Sequence, residues 1–319
     1  MKRKGLLLAL MSTLLLLLTG CEPLLVLNPK GPQAQTQANT IIFSIIVMAF
    51  VLLVVYVLFV VFLSKYRASK LPDDYEPPYE KGNKWLEIIW IAIPVLIVAV
   101  LSVVTVKTTN AVEKVPVGYE NQKPLVIYAA SSNWKWHFSY PEENIETVNY
   151  VNIPTNRPVE FRMYSYGPIT SFWIPQLGGQ KYAMSDMVTK LHFVAEHEAS
   201  MMGRNSNFSG EGYAHMEFEV LSMSPKKFDE WVNDVKANES EITEAEFDKL
   251  LATPHVGRKS YTGTHLTFSP APEGEHAGHN HGSDSTSNDM DHSNMDHGDM
   301  DHEDMDQSEH SESEHSNHE

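Results

Sequence analysis

Residues 41–63 read IIFSIIVMAFVLLVVYVLFVVFL and residues 88–106 read IIWIAIPVLIVAVLSVVTV. At the helical rise these uncharged runs make about 34 Å and about 28 Å of helix, each sufficient to cross a hydrocarbon layer of ~30 Å. Pro94 interrupts the second run, which a membrane helix tolerates when neighbouring groups satisfy the freed carbonyl. Between them, residues 64–87 carry Lys65, Arg67, Lys70, Lys81 and Lys84 close to the two helix ends. The bias of basic residues towards the inner side makes this loop cytoplasmic and sends both flanks outward. Tyr66, Trp85 and Trp90 suit the aromatic belts at the membrane surfaces.

Upstream, Lys2, Arg3 and Lys4 precede an apolar run at residues 6–18, too short for a comfortable span, and then Leu18-Thr19-Gly20-Cys21. Charge, apolar run, small residue and cysteine in that order resemble the lipobox of bacterial lipoprotein signal peptides. The resemblance implies a signal peptide at 1–20, cleavage before Cys21 and lipid on its thiol and new amino group, leaving 21–40 as a lipidated outer segment. An outward amino terminus agrees with the charge of the loop. Cys21 is the single cysteine, so no disulfide can form within the chain.

Downstream, residues 108–270 alternate short apolar runs with clusters of Pro, Gly and Asn. The runs lie at 125–129, 134–140, 148–153, 159–164, 191–195 and 214–221, the pattern of a β-sandwich or barrel. Helical patterns follow at 225–236 and 241–251, the second with Ser240 as its expected cap. Trp134 and Trp136, two apart on an expected strand, should face one side and pack. His192, His197 and His215 stand alone and read as structural.

The net charge of −17 belongs to the end of the chain. Residues 271–319 hold fifteen acidic and no basic residues, leaving 26 acidic against 24 basic elsewhere. That balance gives no basic excess for a nucleic-acid partner. From Ala271 onward there is no Val, Ile, Leu or aromatic residue, so no core can form and disorder is expected. A five-residue repeat runs through Asp289-Met290-Asp291-His292, Asn294-Met295-Asp296-His297 and Asp299-Met300-Asp301-His302. Its imidazoles and thioethers, His292, His297 and His302 among them, suit weak binding of Cu, Zn or Ni, and a solvated acidic tail explains it equally.

Two further stretches resemble a known family. Thr170-Ser171-Phe172-Trp173-Ile174-Pro175 and the loop from Asn205 to Met216 resemble the two halves of the copper A motif in subunit II of haem–copper oxidases. There a His precedes Ser-Phe-Trp-x-Pro, and the later loop reads Cys-x-Glu-x-Cys-x3-His-x2-Met. Aligned on Met216, the ligand positions hold Asn205, Asn207, Ser209 and Tyr213, with Thr170 at the first His. Only Met216 matches. A mixed-valence copper pair needs two bridging thiolates, which Asn and Ser cannot replace. Gln180-Lys181-Tyr182-Ala183-Met184 and Ser224-x3-Phe228-x2-Trp231 also resemble family patterns. The likeness therefore points to the quinol-oxidising branch and covers about residues 29–270.

The resemblance implies a helical hairpin followed by a cupredoxin-like Greek-key domain. It implies a non-redox-centre subunit of a proton-pumping quinol oxidase in the bacterial cell membrane, with haems and copper in subunit I. Expected partners are subunit I, small membrane subunits, membrane lipid and quinol, with no cytochrome c and no metal in the folded domain. The setting of Glu87, in Trp85-Leu86-Glu87-Ile88-Ile89-Trp90 with Pro94 beyond, resembles that of a subunit II glutamate at the mouth of the K proton pathway. An acidic residue in a first helical turn is also favoured simply by the helix dipole. The competing reading is a metal-buffering membrane lipoprotein whose tail is the active part. It leaves the hairpin and the retained motifs unexplained.

Overall fold

The computed structural model describes residues 24–67 and 82–272. Cys21, the signal segment, Lys70, Lys81 and the tail histidines lie outside the described residues.

Both apolar runs are helical, and both helices outrun them. Helix α1 spans Pro32–Lys65 and α2 spans Lys84–Val112. Their apolar windows have no buried share, as expected of surfaces meant for lipid or partner helices. Pro32 opens α1, where its missing N–H costs nothing, and Asn83 caps α2 by accepting from Trp85 N at 3.0 Å. Pro94 sits inside α2 without ending it. Helix α1 starts nine residues before its uncharged run because its first turns rest on the folded domain. Gln33, Ala34 and Ala38 are buried there, and Gln33 Nε2 donates to His192 O at 3.1 Å. Just upstream, Lys30 N donates to Gln176 O and Glu196 N donates to Lys30 O. Gly31 passes so close to Val194 that a Cβ there would lie 2.0 Å from its carbonyl oxygen.

The domain that follows is a cupredoxin-like sandwich of two sheets. Eleven strands carry it: β1 (Leu125–Ser132), β2 (Lys135–Tyr140), β3 (Ile145–Val148), β4 (Tyr150–Pro154), β5 (Val159–Ser165), β6 (Thr170–Trp173), β7 (Gln180–Ala183), β8 (Thr189–Phe193), β9 (Ala199–Asn205), β10 (Glu217–Met223) and β11 (Lys259–Thr262). One sheet runs β11-β3-β2-β1-β5-β8 and the other β4-β10-β9-β6-β7. The parallel pairs β1–β5 and β4–β10 bring distant stretches of chain together. Alternation places Trp136, Phe138 and Tyr140 inward, where they meet Phe161, Phe172 and Phe218. Trp136 lies edge-on to Phe172 at 5.2 Å, and Phe172 stacks on Phe218 at 5.2 Å.

Three expectations need correction. The run at 148–153 is not one strand: Asn149 takes a left-handed φ of 58° and turns the chain from one sheet to the other. Asparagine tolerates that conformation because its short carboxamide bonds locally, here accepting from Trp136 N at 3.0 Å. Trp134 and Trp136 do not share a strand face, since Trp134 has φ 62° in the turn before β2. Ser240 caps nothing. Its carbonyl accepts from Thr262 N, and the helix begins three residues later, capped by Thr243.

Helix α3 (Pro225–Asn238), capped by Ser224, buries Phe228, Val232 and Val235 against the main core. Helix α4 (Glu244–Ala252) and a 3-10 turn at His265–Thr267 form a separate cap beside the edge strand β11. The cap lies over the outer face of the six-stranded sheet, where Phe247 and Leu250 pack with Val148 and Tyr261.

Candidate functional site

The copper-patterned positions converge where β6 and β9 pair and the 205–216 loop returns to β10. Asn205 is at the centre, almost fully buried. Its Oδ1 accepts from Ser171 N at 2.8 Å and Asn207 N at 3.0 Å. Both donors are backbone amides, so the carboxamide can face only one way. Its Nδ2 then donates to Ser209 Oγ at 2.9 Å and to Met216 Sδ at 3.6 Å. Asn205 N donates to Met216 O at 2.9 Å, closing the two ends of the loop.

The other positions stand around this knot. Asn207 Nδ2 donates to Ile169 O at 2.9 Å. Thr170 is buried, its hydroxyl 2.7 Å from that of Ser131. Tyr213 turns its ring edge-on to Phe208 at 4.9 Å. Four of the six positions are thus joined directly and two flank them. Both ends of the Asn205 carboxamide are satisfied within the protein, and no thiolate or imidazole stands at a ligand position. This donor set does not fit a dinuclear copper pair.

A tryptophan holds the loop from outside. The Trp134 indole lies against Gly210 and Gly212, where an added Cβ would come within 2.5 and 2.4 Å of ring atoms. Gly210 also has φ 119°, so glycine is required there twice over. His215 is exposed in the 3-10 turn Tyr213–His215, with its ring 6.1 Å from that of His255. His192 is on β8 and His197 is exposed in the connection to β9, both remote from the knot. Among the described residues no group of three or more His, Cys, Asp or Glu is disposed to hold a metal.

Glu87 lies in the first turn of α2, its backbone N–H donating to Asn83 O at 3.1 Å. It was expected at the end of the connecting loop, and the helix simply starts earlier.

One cluster escapes the sequence reading. On the outer face of the six-stranded sheet, Lys135, His137, Ser139 and Glu146 are fully buried together with Tyr164 and His265. In sequence, Lys135, His137 and Ser139 alternate with aromatic residues and read as a solvated strand face. The cap covers them. Burial alone lowers the Lys135 ammonium to about 8.

A hairpin of apolar helices carrying a copper-A-patterned sandwich defines a class, subunit II of the terminal oxidases. The family model for the cytochrome c oxidase subunit II transmembrane domain matches residues 29–108. The chain is 47% identical over 257 residues to quinol oxidase subunit 2 of Bacillus cereus, covering 80% of this chain and 88% of the relative. It is 43% identical over 267 residues to quinol oxidase subunit 2 of Bacillus subtilis, covering 83% of each. A solved structure, the periplasmic domain of subunit II of cytochrome oxidase from Bradyrhizobium japonicum, is 22% identical with a TM-score of 0.35, covering 35% of this chain and 94% of that one. The chain belongs to the quinol oxidase subunit 2 family.

Proposed function

We propose that this chain is subunit II of a proton-pumping quinol oxidase and carries no copper A centre. Electrons then pass from quinol to the haems and copper of subunit I without crossing this domain, and cytochrome c is not a donor. The observation that supports this most is the Asn205 carboxamide. It occupies a thiolate position and is satisfied by four protein partners, two of them backbone amides on separate segments. A ligand position filled this way holds the loop shut by hydrogen bonds where a relative uses metal.

In this reading the subunit supplies the hairpin against subunit I, an extracytoplasmic domain and a proton-uptake group at Glu87 on the cytoplasmic side. The lipid anchor at Cys21 belongs to the same reading, and the mass of the mature amino terminus tests it directly.

The deciding experiment uses the detergent-purified complex. Copper and haem are quantified, the near-infrared spectrum is recorded, and oxidation of quinol is compared with oxidation of cytochrome c. The expectation is co-purification with a haem-bearing partner, quinol turnover and no dinuclear copper band. Such a band, or preference for cytochrome c, sinks the proposal. A chain that purifies alone with metal on its tail favours the metal-buffering alternative.

A further inference from the structure

His215 and His255 stand forty residues apart in sequence, and the fold brings their imidazoles together at the surface. The ring centres are 6.1 Å apart and the ring planes are close to perpendicular, at 79°. Both residues are exposed. Neither belongs to the copper-patterned set, and the oxidase role proposed above uses neither.

Each ring hangs on backbone that other contacts hold in place. His215 ends the 3-10 turn Tyr213–His215, and its N–H donates to Gly212 O at 3.1 Å. The next residue, Met216, is tied to β9 because its carbonyl accepts from Asn205 N. His255 takes a left-handed φ of 54°. Beside it, Val256 O accepts from Asn149 Nδ2 at 2.6 Å. Three residues on, the Arg258 guanidinium lies 4.3 Å from the Tyr150 ring centre and pairs with Glu219 of β10. The Trp134 indole serves both sides. It stacks on the His255 ring at 6.5 Å and lies against Gly212, where the turn of His215 begins.

The spacing suits one shared ion. Take a zinc–nitrogen bond of about 2.0–2.1 Å and about 1.2 Å from ring nitrogen to ring centre. Two imidazoles on one zinc then have centres about 5.3 Å apart at a tetrahedral angle and about 6.5 Å apart at most. The observed 6.1 Å lies inside that limit. An inward swing of less than about 1 Å reaches the tetrahedral value, a movement open to exposed side chains through small χ rotations.

We propose that His215 and His255 form a two-imidazole site for a borderline divalent cation, of the class of zinc, nickel and copper(II). The ion staples the end of the 205–216 loop to the segment leading into β11. Imidazole suits these metals, whereas magnesium and calcium require oxygen ligands. The carboxylates on β10 are engaged elsewhere, Glu217 with Arg204 at 3.2 Å and Glu219 with Arg258. Among the described residues no third His, Cys, Asp or Glu completes the set, so water or an outside donor fills the remaining positions. Because both ligands sit on one folded domain, binding at the first ring makes the second step intramolecular, and each imidazole raises the affinity at the other. The site has no thiolate and gives no mixed-valence near-infrared band, which separates its occupancy from that of a copper A centre. It stands or falls independently of the oxidase assignment.

The test is a histidine footprint of the complete chain in detergent at about pH 7.5, where free imidazole is mostly neutral. Diethyl pyrocarbonate modifies accessible imidazoles, and peptide mass spectrometry reads His215, His255 and the exposed His197 separately from the tail histidines. Free zinc is set by a chelating buffer, so zinc taken up by the tail does not change its level. His215 and His255 should lose reactivity together at one zinc midpoint while His197 stays reactive, and magnesium should protect neither. His255→Asn keeps a residue that tolerates the left-handed backbone and removes the imidazole. It should raise the zinc midpoint at His215 at least about tenfold, since even partners outside the ligand shell are worth that much. His215→Ala should do the same at His255, and the reciprocal variant decides should one of the two fail to fold. Separate midpoints in the wild type overturn the site, as does an unchanged midpoint at either histidine when the other is replaced. Absence of protection by millimolar zinc overturns it as well.

Discussion

Replacing Asn205 by Ala tests whether the copper-patterned loop is held together by one carboxamide. The substitution strips the acceptor from Ser171 N and Asn207 N and the donor from Ser209 Oγ and Met216 Sδ. Ser171 is buried, so its orphaned N–H carries the full desolvation penalty of about 1–3 kcal/mol. Asn207 is only half-buried, and water can take over its N–H at little cost. Losing the Nδ2 bonds adds about 0.5–1.5 kcal/mol, for a total of about 1.5–4.5 kcal/mol. For a domain of this size that lowers the melting temperature by about 3–18 °C. Near-ultraviolet circular dichroism of the complete chain in detergent follows the domain, because its core is aromatic. The internal control is Asn207→Ala, which removes a 2.9 Å bond to Ile169 O at an exposed edge and should cost less than about 1 kcal/mol. Equal losses in the two variants, or a loss below about 0.5 kcal/mol for Asn205→Ala, refute the reasoning.

Two other perturbations follow from the geometry. Gly31→Ala forces a Cβ to within 2.0 Å of the Val194 carbonyl oxygen, a backbone atom that cannot step aside. The strap at Lys30 should detach at a cost of about 1–3 kcal/mol, seen as faster hydrogen exchange at residues 24–34, and unchanged exchange there would deny the strap its role. Glu87→Gln keeps size and hydrogen bonding while removing the titrating group. On the proposed proton route it slows oxygen reduction several-fold in a normally assembled complex, and wild-type turnover across pH would leave only the helix-dipole role.

Much of this architecture is legible along the chain because its causes are one-dimensional. A bilayer has a thickness, so the uncharged lengths at 41–63 and 88–106 decide the two helices whatever they pack against. A strand has a period of two, so the alternation at 134–140 already places Trp136, Phe138 and Tyr140 in the core. The same local chemistry stops short elsewhere. Ser240 and Thr243 are both good caps, and only the pairing of Ser240 O with Thr262 N rules out the first. A left-handed Asn149 divides what reads as one strand, a choice made by bonds to Trp136 N and Val256 O.

The site divides along the same line. That Asn205, Ser209 and Tyr213 stand where a copper centre needs thiolates and imidazole was decided by residue identity, since such ligands cannot be improvised from amides and hydroxyls. How Asn205 satisfies itself was decided by the fold, which draws Ser171, Ser209 and Met216 around one carboxamide. The buried polar cluster under the cap lay beyond sequence reading altogether. Lys135, His137 and Ser139 have the pattern of a wet strand face, and they are dry only because His265 and Phe247 return more than a hundred residues later to cover them. Local pattern determines which way a side chain points; what lies over it is supplied by distant chain, and burial is what pulls the Lys135 ammonium down from its ordinary value.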